Sequence, residues 1–535
     1  MKLHRMHHRR RSRVVAALAA LPLLATLSAP NATAEPASPG SEAARLSAAP
    51  DRTGAGEPEE GTWFGKPVLM PYGTAKDDAM DRAEDEAPRN LTANQETTQK
   101  QAPPSGLKRW EMPGLEARGE PLSAAEAGRR ALAAAEKAGA RSYADTSKVP
   151  LTGDGDGDGD NPTPRAAAEL TPPTKWGATP PATIERCLDR EEAGSTKGKT
   201  FNRWLWCQKG RLGLEYFKVI NGRPELQGIT TVAFRAAAVG AGKTRGVRTY
   251  LQVEEDSLDN DVWSLWDRLF TVPSLRMNVL SDCAEPLEYC WATGSGIEHT
   301  WEEWEYRDDW MHWDVRSDES AGRGRDKVSY DRWHFRVDGS GGGYKIRPAR
   351  SEQHTIRCDS ADYFAHFGER YPRACVNYEV VPNLRYKISD DRVTGVAQHI
   401  RTAQNMPERT YPIEFDRKDI PGKYYPGQRN ERGLHRVPYG GLVARSNEDY
   451  KDDACKRQGP YAGSRGLPPY DTNTKDCDEY PFQSTEEGAS SHDWAFSVRA
   501  VPKSENTAAG SLLRWYYFSD RVLYDNDEFW VNIQD

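Results

Sequence analysis

The sequence predicts an α+β protein: a β-rich, disulfide-bonded middle domain patterned as a sandwich, then a smaller C-terminal unit that mixes strands and helices. Three observations carry this expectation. All eight cysteines lie past residue 186. Short alternating or β-branched segments, separated by Gly, Asn or Asp turns, fill residues 182–375. Near the end, "DWAFSVRAV" reads as a strand and runs into "PKSENTAAGSLLRWYY", which reads as a helix with Ser504 as N-cap. A chain of 535 residues also exceeds what one hydrophobic core usually organises, so more than one domain is expected.

Residues 1–34 read as an address. "MKLHRMHHRRRSR" is a basic leader, "VVAALAALPLLATL" is apolar but too short to span a bilayer, and small residues surround Ala32 and Ala34. This is the pattern of a signal peptide cleaved near Ala34. Arg13 stands where a twin-arginine signal wants an apolar residue, which favours general secretion. No later stretch is long and apolar enough for a membrane helix, so a secreted, extracellular protein is expected. The net charge of −8 argues against a surface that is basic throughout, so an anionic substrate must meet a local basic patch or bound cations.

Residues 35–181 are rich in Ala, Pro, Gly, Glu and Thr and poor in large apolar side chains, the composition of a disordered linker or pro-segment. One short helix is expected from Ala124 to about Ala140, where Ser123 and Glu126 fit a capping box. The repeat Gly153–Asp160 opens like a calcium-binding EF-hand loop, but Arg165 occupies the twelfth position, where a bidentate glutamate is needed. A flexible acidic linker is the better reading.

Within residues 182–375, "LGLEYFKVI", "GITTVAFRAA", "GVRTYLQVEE", "RWHFRVDG" and "GYKIRPA" are the expected strands. Cysteine spacing groups neighbours: Cys187 with Cys207, Cys283 with Cys290, Cys358 with Cys375 and, further on, Cys455 with Cys477. No CxxC pair suggests zinc, so disulfides are expected, with connectivity left open. The cluster "EEWEYRDDWMHWDVRSDE" offers Trp304, Trp310 and Trp313 either as a carbohydrate platform or, preferably, as core positions alternating with solvated acids on a strand.

Residues 376–535 change character. Val393, Val396, Ala397 and Ile400 fall at helical spacing, and a long Gly-, Pro- and cation-rich stretch follows. Next comes "CDEYPFQSTEEG", an acidic loop ahead of the strand and helix already noted, and "RVLYDNDEFWVNI" is patterned as a closing hairpin. Carboxylates and an Asn carbonyl near a helix start can hold Mg²⁺ or Mn²⁺, activate water and receive a phosphate. Such parts are common, and from chemistry alone they do not settle a function.

At these residues the sequence resembles the NucA/NucB secreted deoxyribonucleases of bacteria, through "DEYPF", "STEEG" and "RAVPKSENTAAGS" in that order. The likeness is close over the final stretch and weaker back to "VAQHIRTA". It implies a small ββα-metal-like nuclease domain in which an aspartate replaces the usual general-base histidine, acting on DNA with a divalent metal, Mg²⁺ or Mn²⁺. Carried over by position, Asp478 is the base and Glu479 a supporting acid. Glu505 and Asn506 are helix-borne residues that hold metal or position phosphate, and Glu487 is a further metal candidate. Beyond "AAGS" no acid appears until Asp520, so no ligand carries over from the second half of that helix.

Each residue has a plainer role. Asp478 would cap a turn, Glu486 would be a solvated neighbour, and Glu505 would complement a helix dipole. His399 and His435 are the histidines of the weakly matched stretch, and His435 reads as a surface histidine or, alternatively, as a phosphate contact or acid. Arg432, Arg436 and Arg445 are either the local basic patch that an anionic substrate needs or ordinary solvated arginines. Two other functions compete with the nuclease: a glycan- or cell-wall-binding protein with an inactive nuclease-like unit, and a glycosidase, since paired carboxylates also cleave sugars.

Overall fold

The computed structural model describes residues 60–71, 110–115, 146–149, 151–152, 163–164 and 172–535, apart from 285–288, 367, 415–416, 427–431 and 525–526. Four isolated positions, Glu126, Arg129, Arg130 and Ala133, are also described and are helical, while the rest of the expected 124–140 helix, the leader and the Gly-Asp repeat lie outside.

The middle of the chain is built from long antiparallel strands. Leu205–Ile220 pairs along its whole length with Arg223–Ala241, which pairs in turn with Thr244–Val253, and Met311–Ser317 joins beyond. Period-two patterning sends Trp206, Leu212, Leu214 and Tyr216 inward from the first strand and Val232 and Phe234 from the second. They share one core with Met277, Val279, Trp333, Phe335 and Ile356 of a second antiparallel sheet. This is the expected sandwich. Cys283–Cys290 joins a strand of one sheet to a strand of the other, Cys358–Cys375 crosses between registered neighbours, and Cys187–Cys207 ties a short helix to the first long strand. The spacing-based pairs are therefore the pairs formed.

The Trp-rich cluster divides between two elements. Thr300 and Glu303 form a capping box that starts a short helix, Trp301–Glu305, and the chain then enters the strand Met311–Ser317. Trp304 and Trp313 are both core residues, which removes them from any exposed sugar platform.

The reading of residues 35–181 as linker needs correction. Trp63–Met70 is a strand, antiparallel to Leu205–Ile220 from Trp63↔Lys218 to Met70↔Arg211. Five apolar residues in "WFGKPVLM" suffice for an edge that Leu205–Ile220 would otherwise leave bare, and an average over the whole segment hides them. A second piece, Thr146–Val149, docks on the C-terminal part: Val149 enters its core, and Arg392 donates to the Thr146, Ser147 and Val149 carbonyls.

Two hydrophobic cores meet near the expected boundary at residue 375, yet residues 58–535 form a single compact unit. In the C-terminal part, Lys475–Tyr480 and Ser497–Pro502 are antiparallel, and the helix Lys503–Ser519 follows at once, the expected ββα succession. Pro502, not Ser504, is the residue before that helix, because the strand runs directly into it. The closing hairpin is also corrected. Glu528–Gln534 pairs in parallel with Asn383–Lys387 and antiparallel with Leu434–His435, so its partners are distant in sequence.

What joins this part to the sandwich is a buried ion network. Asp527, 3% exposed, receives Arg203 and Arg357 from the sandwich, and Asp359 of the sandwich receives Arg521 through bonds of 2.7–3.1 Å. Burial alone would raise the Asp527 carboxyl, but the two guanidiniums hold it below its ordinary value. Trp204 donates to the carbonyl of Ser519 (2.6 Å), closing the end of the C-terminal helix. Asp527→Ala would leave Arg203 buried without its counter-charge and Arg357 with only its 3.4 Å pair to Asp359, so a loss of about 3–5 kcal/mol is expected. Thermal unfolding should show it as a lower midpoint. An unchanged midpoint would mean that the network does not hold the two cores together.

Candidate functional site

The strand Lys475–Tyr480 lies between two helices, and its alternation decides which side chain meets which. Asp478 and Tyr480 face the helix Thr394–Asn405: His399 Nδ1 lies 2.6 Å from Asp478 Oδ2, and Gln404 donates to the Tyr480 hydroxyl (3.0 Å). Cys477 and Glu479 face the helix Leu442–Lys456, through the Cys455–Cys477 disulfide and the charge of Lys451. The disulfide thus anchors the chain one residue before Asp478.

The helix Lys503–Ser519 completes a cleft of about 380 Å³. Asn506, Ala509, Gly510, Leu513, Arg514 and Tyr517, spaced at three and four, present one stripe to it. Asp478 (9% exposed) and Glu479 line the same space. A Cβ on Gly510 would meet nothing within 4 Å, so this glycine faces open cleft. Arg436, Lys451 and Arg514 bring positive charge, and Tyr439, 92% exposed, stands at the edge.

Arg436 is held by both parts of the molecule. Its guanidinium lies over Tyr517 and Tyr524 (4.5 and 4.4 Å) and also over Tyr363 of the sandwich (5.7 Å), while Tyr363 stacks on Tyr524 (4.1 Å). The other expected cations are elsewhere. Arg432 pairs with Asp419 and lies over Trp494, and Arg445 is exposed on the helix Leu442–Lys456.

The five expected site residues do not converge. Asp478, Glu479 and Asn506 share the cleft. Glu505 does not line it: its carboxylate accepts from the backbone N–H of Gly395, at the start of the helix Thr394–Asn405. That helix has no side-chain cap of its own, so Glu505 supplies one from a neighbouring helix. Glu487 turns away too, accepting from the His435 backbone (2.9 Å) and from Nδ1 (2.7 Å). With Glu486 these residues form a group whose ligand atoms lie within 4.8 Å of one another and which could hold a metal. Burial would lower the His435 imidazole, but Glu487 and, beyond it, Glu528 hold it above its ordinary value. Gly488 is required by its neighbour: a Cβ there would collide with the Asn447 amide, which binds the Gln483 and Thr485 carbonyls and Ser490.

His399 had no assigned role and is 1% exposed. It shares a helical stripe with Val396, Ile400 and Ala403, all buried, and a polar residue on an apolar face was the available signal. Lys451 and Arg514 had no comparable signal, since neither belongs to a motif: Lys451 is one of three cations on its helix and Arg514 one of two on its own.

Burial pushes the Glu479 carboxyl up to about 7, with Lys451 drawing it down and Asp478 adding to the rise. The folded state therefore holds this proton more tightly than the unfolded chain. Ionising Glu479 costs stability that is absent below about pH 4.5 and complete above about pH 7. In chelator, Glu479→Gln should melt higher than the parent at about pH 8 and lose that advantage near pH 4.5. A difference that stays flat with pH would contradict the assignment. For Glu505→Ala, loss of the cap should cost about 1 kcal/mol, read from denaturant unfolding; no loss would remove the capping role.

Residues 433–532 match the family model described as Deoxyribonuclease NucA/NucB. The matched span includes Asp478, Glu479, Asn506 and all three cleft cations, and excludes the helix Thr394–Asn405. No curated protein and no solved structure matches the chain. Its four disulfides fit an oxidising compartment, and among the described residues no helix is long and apolar enough to cross a membrane.

Proposed function

We propose that this is a secreted, metal-dependent endonuclease that hydrolyses DNA phosphodiester bonds with little sequence preference. The observation that carries the proposal is the cleft itself. Two carboxylates and an amide gather beside three cations, inside the span that matches a deoxyribonuclease family model.

Asp478 accepts the proton of the attacking water. Its neighbour Glu479 and the Asn506 carbonyl are hard oxygen donors of the kind that suit Mg²⁺ or Mn²⁺, which commonly bind through one or two carboxylates and keep several waters. An adjacent cation would also relieve the burial that raises the Glu479 carboxyl. When bound, the ion would stabilise the negative charge that builds on the phosphoryl group. Arg436, Lys451 and Arg514 neutralise flanking phosphates, contacts that position a strand without reading its bases. The exposed ring of Tyr439 offers a face on which an unpaired base can stack.

Glu505 has no part in this scheme because its carboxylate is committed to a helix end. The glycan-binding alternative finds no platform in Trp304 or Trp313, both of which are buried.

Purified protein should nick and linearise plasmid in Mg²⁺ or Mn²⁺ and stop in EDTA. Asp478→Asn keeps size and shape but removes the basicity, so cleavage should fall by about 10²–10⁴, with an unchanged melting temperature. Cleavage at the parent rate by Asp478→Asn would refute the assignment of the base, and cleavage that persists in EDTA would refute the metal.

A further inference from the structure

We propose that His399 is a positioning residue for Asp478. Its imidazole, held from behind by Ser497, fixes one carboxylate oxygen so that the other faces the cleft. This rests on the reading of Asp478 as the proton acceptor.

The geometry is a buried relay of three side chains. His399 Nδ1 lies 2.6 Å from Asp478 Oδ2, and Nε2 lies 2.7 Å from Ser497 Oγ. His399 is 1% exposed and Ser497 is fully buried. Nδ1 faces a carboxylate oxygen, an acceptor, so it is placed to donate, and with the proton there Nε2 can accept from the Ser497 hydroxyl. The serine thereby selects the tautomer that Asp478 needs. In hydrolase triads a carboxylate orients an imidazole that does the chemistry. Here the order is turned round, and the imidazole orients the carboxylate.

Placement on rigid elements makes the hold effective. His399 sits midway along the helix Thr394–Asn405, and Ser497 lies on the strand antiparallel to that of Asp478, opposite Tyr480. His399 and Ser497 also line a second cavity, of about 540 Å³, that shares no lining residue with the cleft. Tyr411, Tyr470, Arg409 and Arg499 form part of its wall. The His399 ring therefore separates this cavity from Asp478, and truncating it would let a small molecule reach the carboxylate from behind.

The test is plasmid cleavage in Mg²⁺ by variants whose melting temperatures and far-UV spectra match the parent. His399→Ala should lower kcat about 10–100-fold with little change in KM. Added imidazole should restore part of the loss in His399→Ala and do nothing for the parent or for Asp478→Asn. His399→Asn, which can present an amide N–H near the Nδ1 position, should recover most of kcat, whereas His399→Phe fills the space without a donor and should be as slow as His399→Ala and unresponsive to imidazole. Nitrogen-15 histidine spectra of the parent should show one buried ring protonated at Nδ1. Parent-like kcat in His399→Phe, with Asp478→Asn dead, would overturn the inference while leaving the site intact. So would a slow His399→Ala that neither imidazole nor the Asn substitution recovers, since that marks a purely structural role. If Asp478→Asn itself cleaved at the parent rate, the failure would lie in the reading of Asp478.

Discussion

The strand Lys475–Tyr480 imposes the constraint on which the site depends. With a period of two, it cannot send Asp478 and Glu479 to the same neighbour. One acid goes to the helix that carries His399, and the other to the helix that carries Lys451. Two adjacent carboxylates therefore sit in different electrostatic settings while bordering one cleft. Burial raises the Glu479 carboxyl to about 7, and Asp478 is tied to an imidazole. The disulfide at Cys477 and the buried hydroxyl of Tyr480, which donates to the Pro421 carbonyl (3.0 Å), fix the strand on either side of the pair. The third wall follows by covalent necessity, since the partner strand runs straight into the helix that carries Asn506.

The sandwich is more than a neighbour to this arrangement. Its Arg203 and Arg357 neutralise Asp527, the residue before the terminal strand, and its Asp359 neutralises Arg521, just after the helix that lines the cleft. Between these two anchors lies Tyr524, which stacks on Tyr363 of the sandwich and supports Arg436 at the cleft. A charge that would meet phosphate is thus held partly by residues from outside the matched family span. The network is a weak source of net stability by itself, because burying five charged groups costs much of what their attraction returns. Its physical effect is to specify one docking arrangement, since a misplaced arginine would be left buried and unpaired.

Much of this was legible in the sequence, for identifiable reasons. Alternation marked the long strands of the sandwich, an even cysteine count falling into neighbouring pairs marked the disulfides, and the order of three short motifs marked the cleft acids. Trp63–Met70 was missed because composition was averaged over a segment in which eight residues form a strand. The pairing of Glu528–Gln534 was missed because its partners, at 383–387 and 434–435, are distant in sequence. Glu505 was carried over together with Asn506 because a motif gives a residue's position on a helix but not what that face packs against. Glu505 and Asn506 are consecutive, yet one meets a helix end and the other meets the cleft. His399 was assigned no role although its helical spacing placed it among apolar side chains.

Among the described residues, the cluster of His435, Glu486 and Glu487 could hold a metal, and the proposed function uses the cleft oxygens of Glu479 and Asn506 instead. The proposed function puts the working ion in the cleft. Electron paramagnetic resonance of Mn²⁺ titrated into the parent, into the double variant Glu479→Gln/Asn506→Ala and into Glu487→Gln separates them directly. With the ion in the cleft, the double variant should lose the tightest Mn²⁺ together with plasmid cleavage, while Glu487→Gln keeps both. Retention of that Mn²⁺ by the double variant, with its loss in Glu487→Gln, would contradict the account and move the metal to His435.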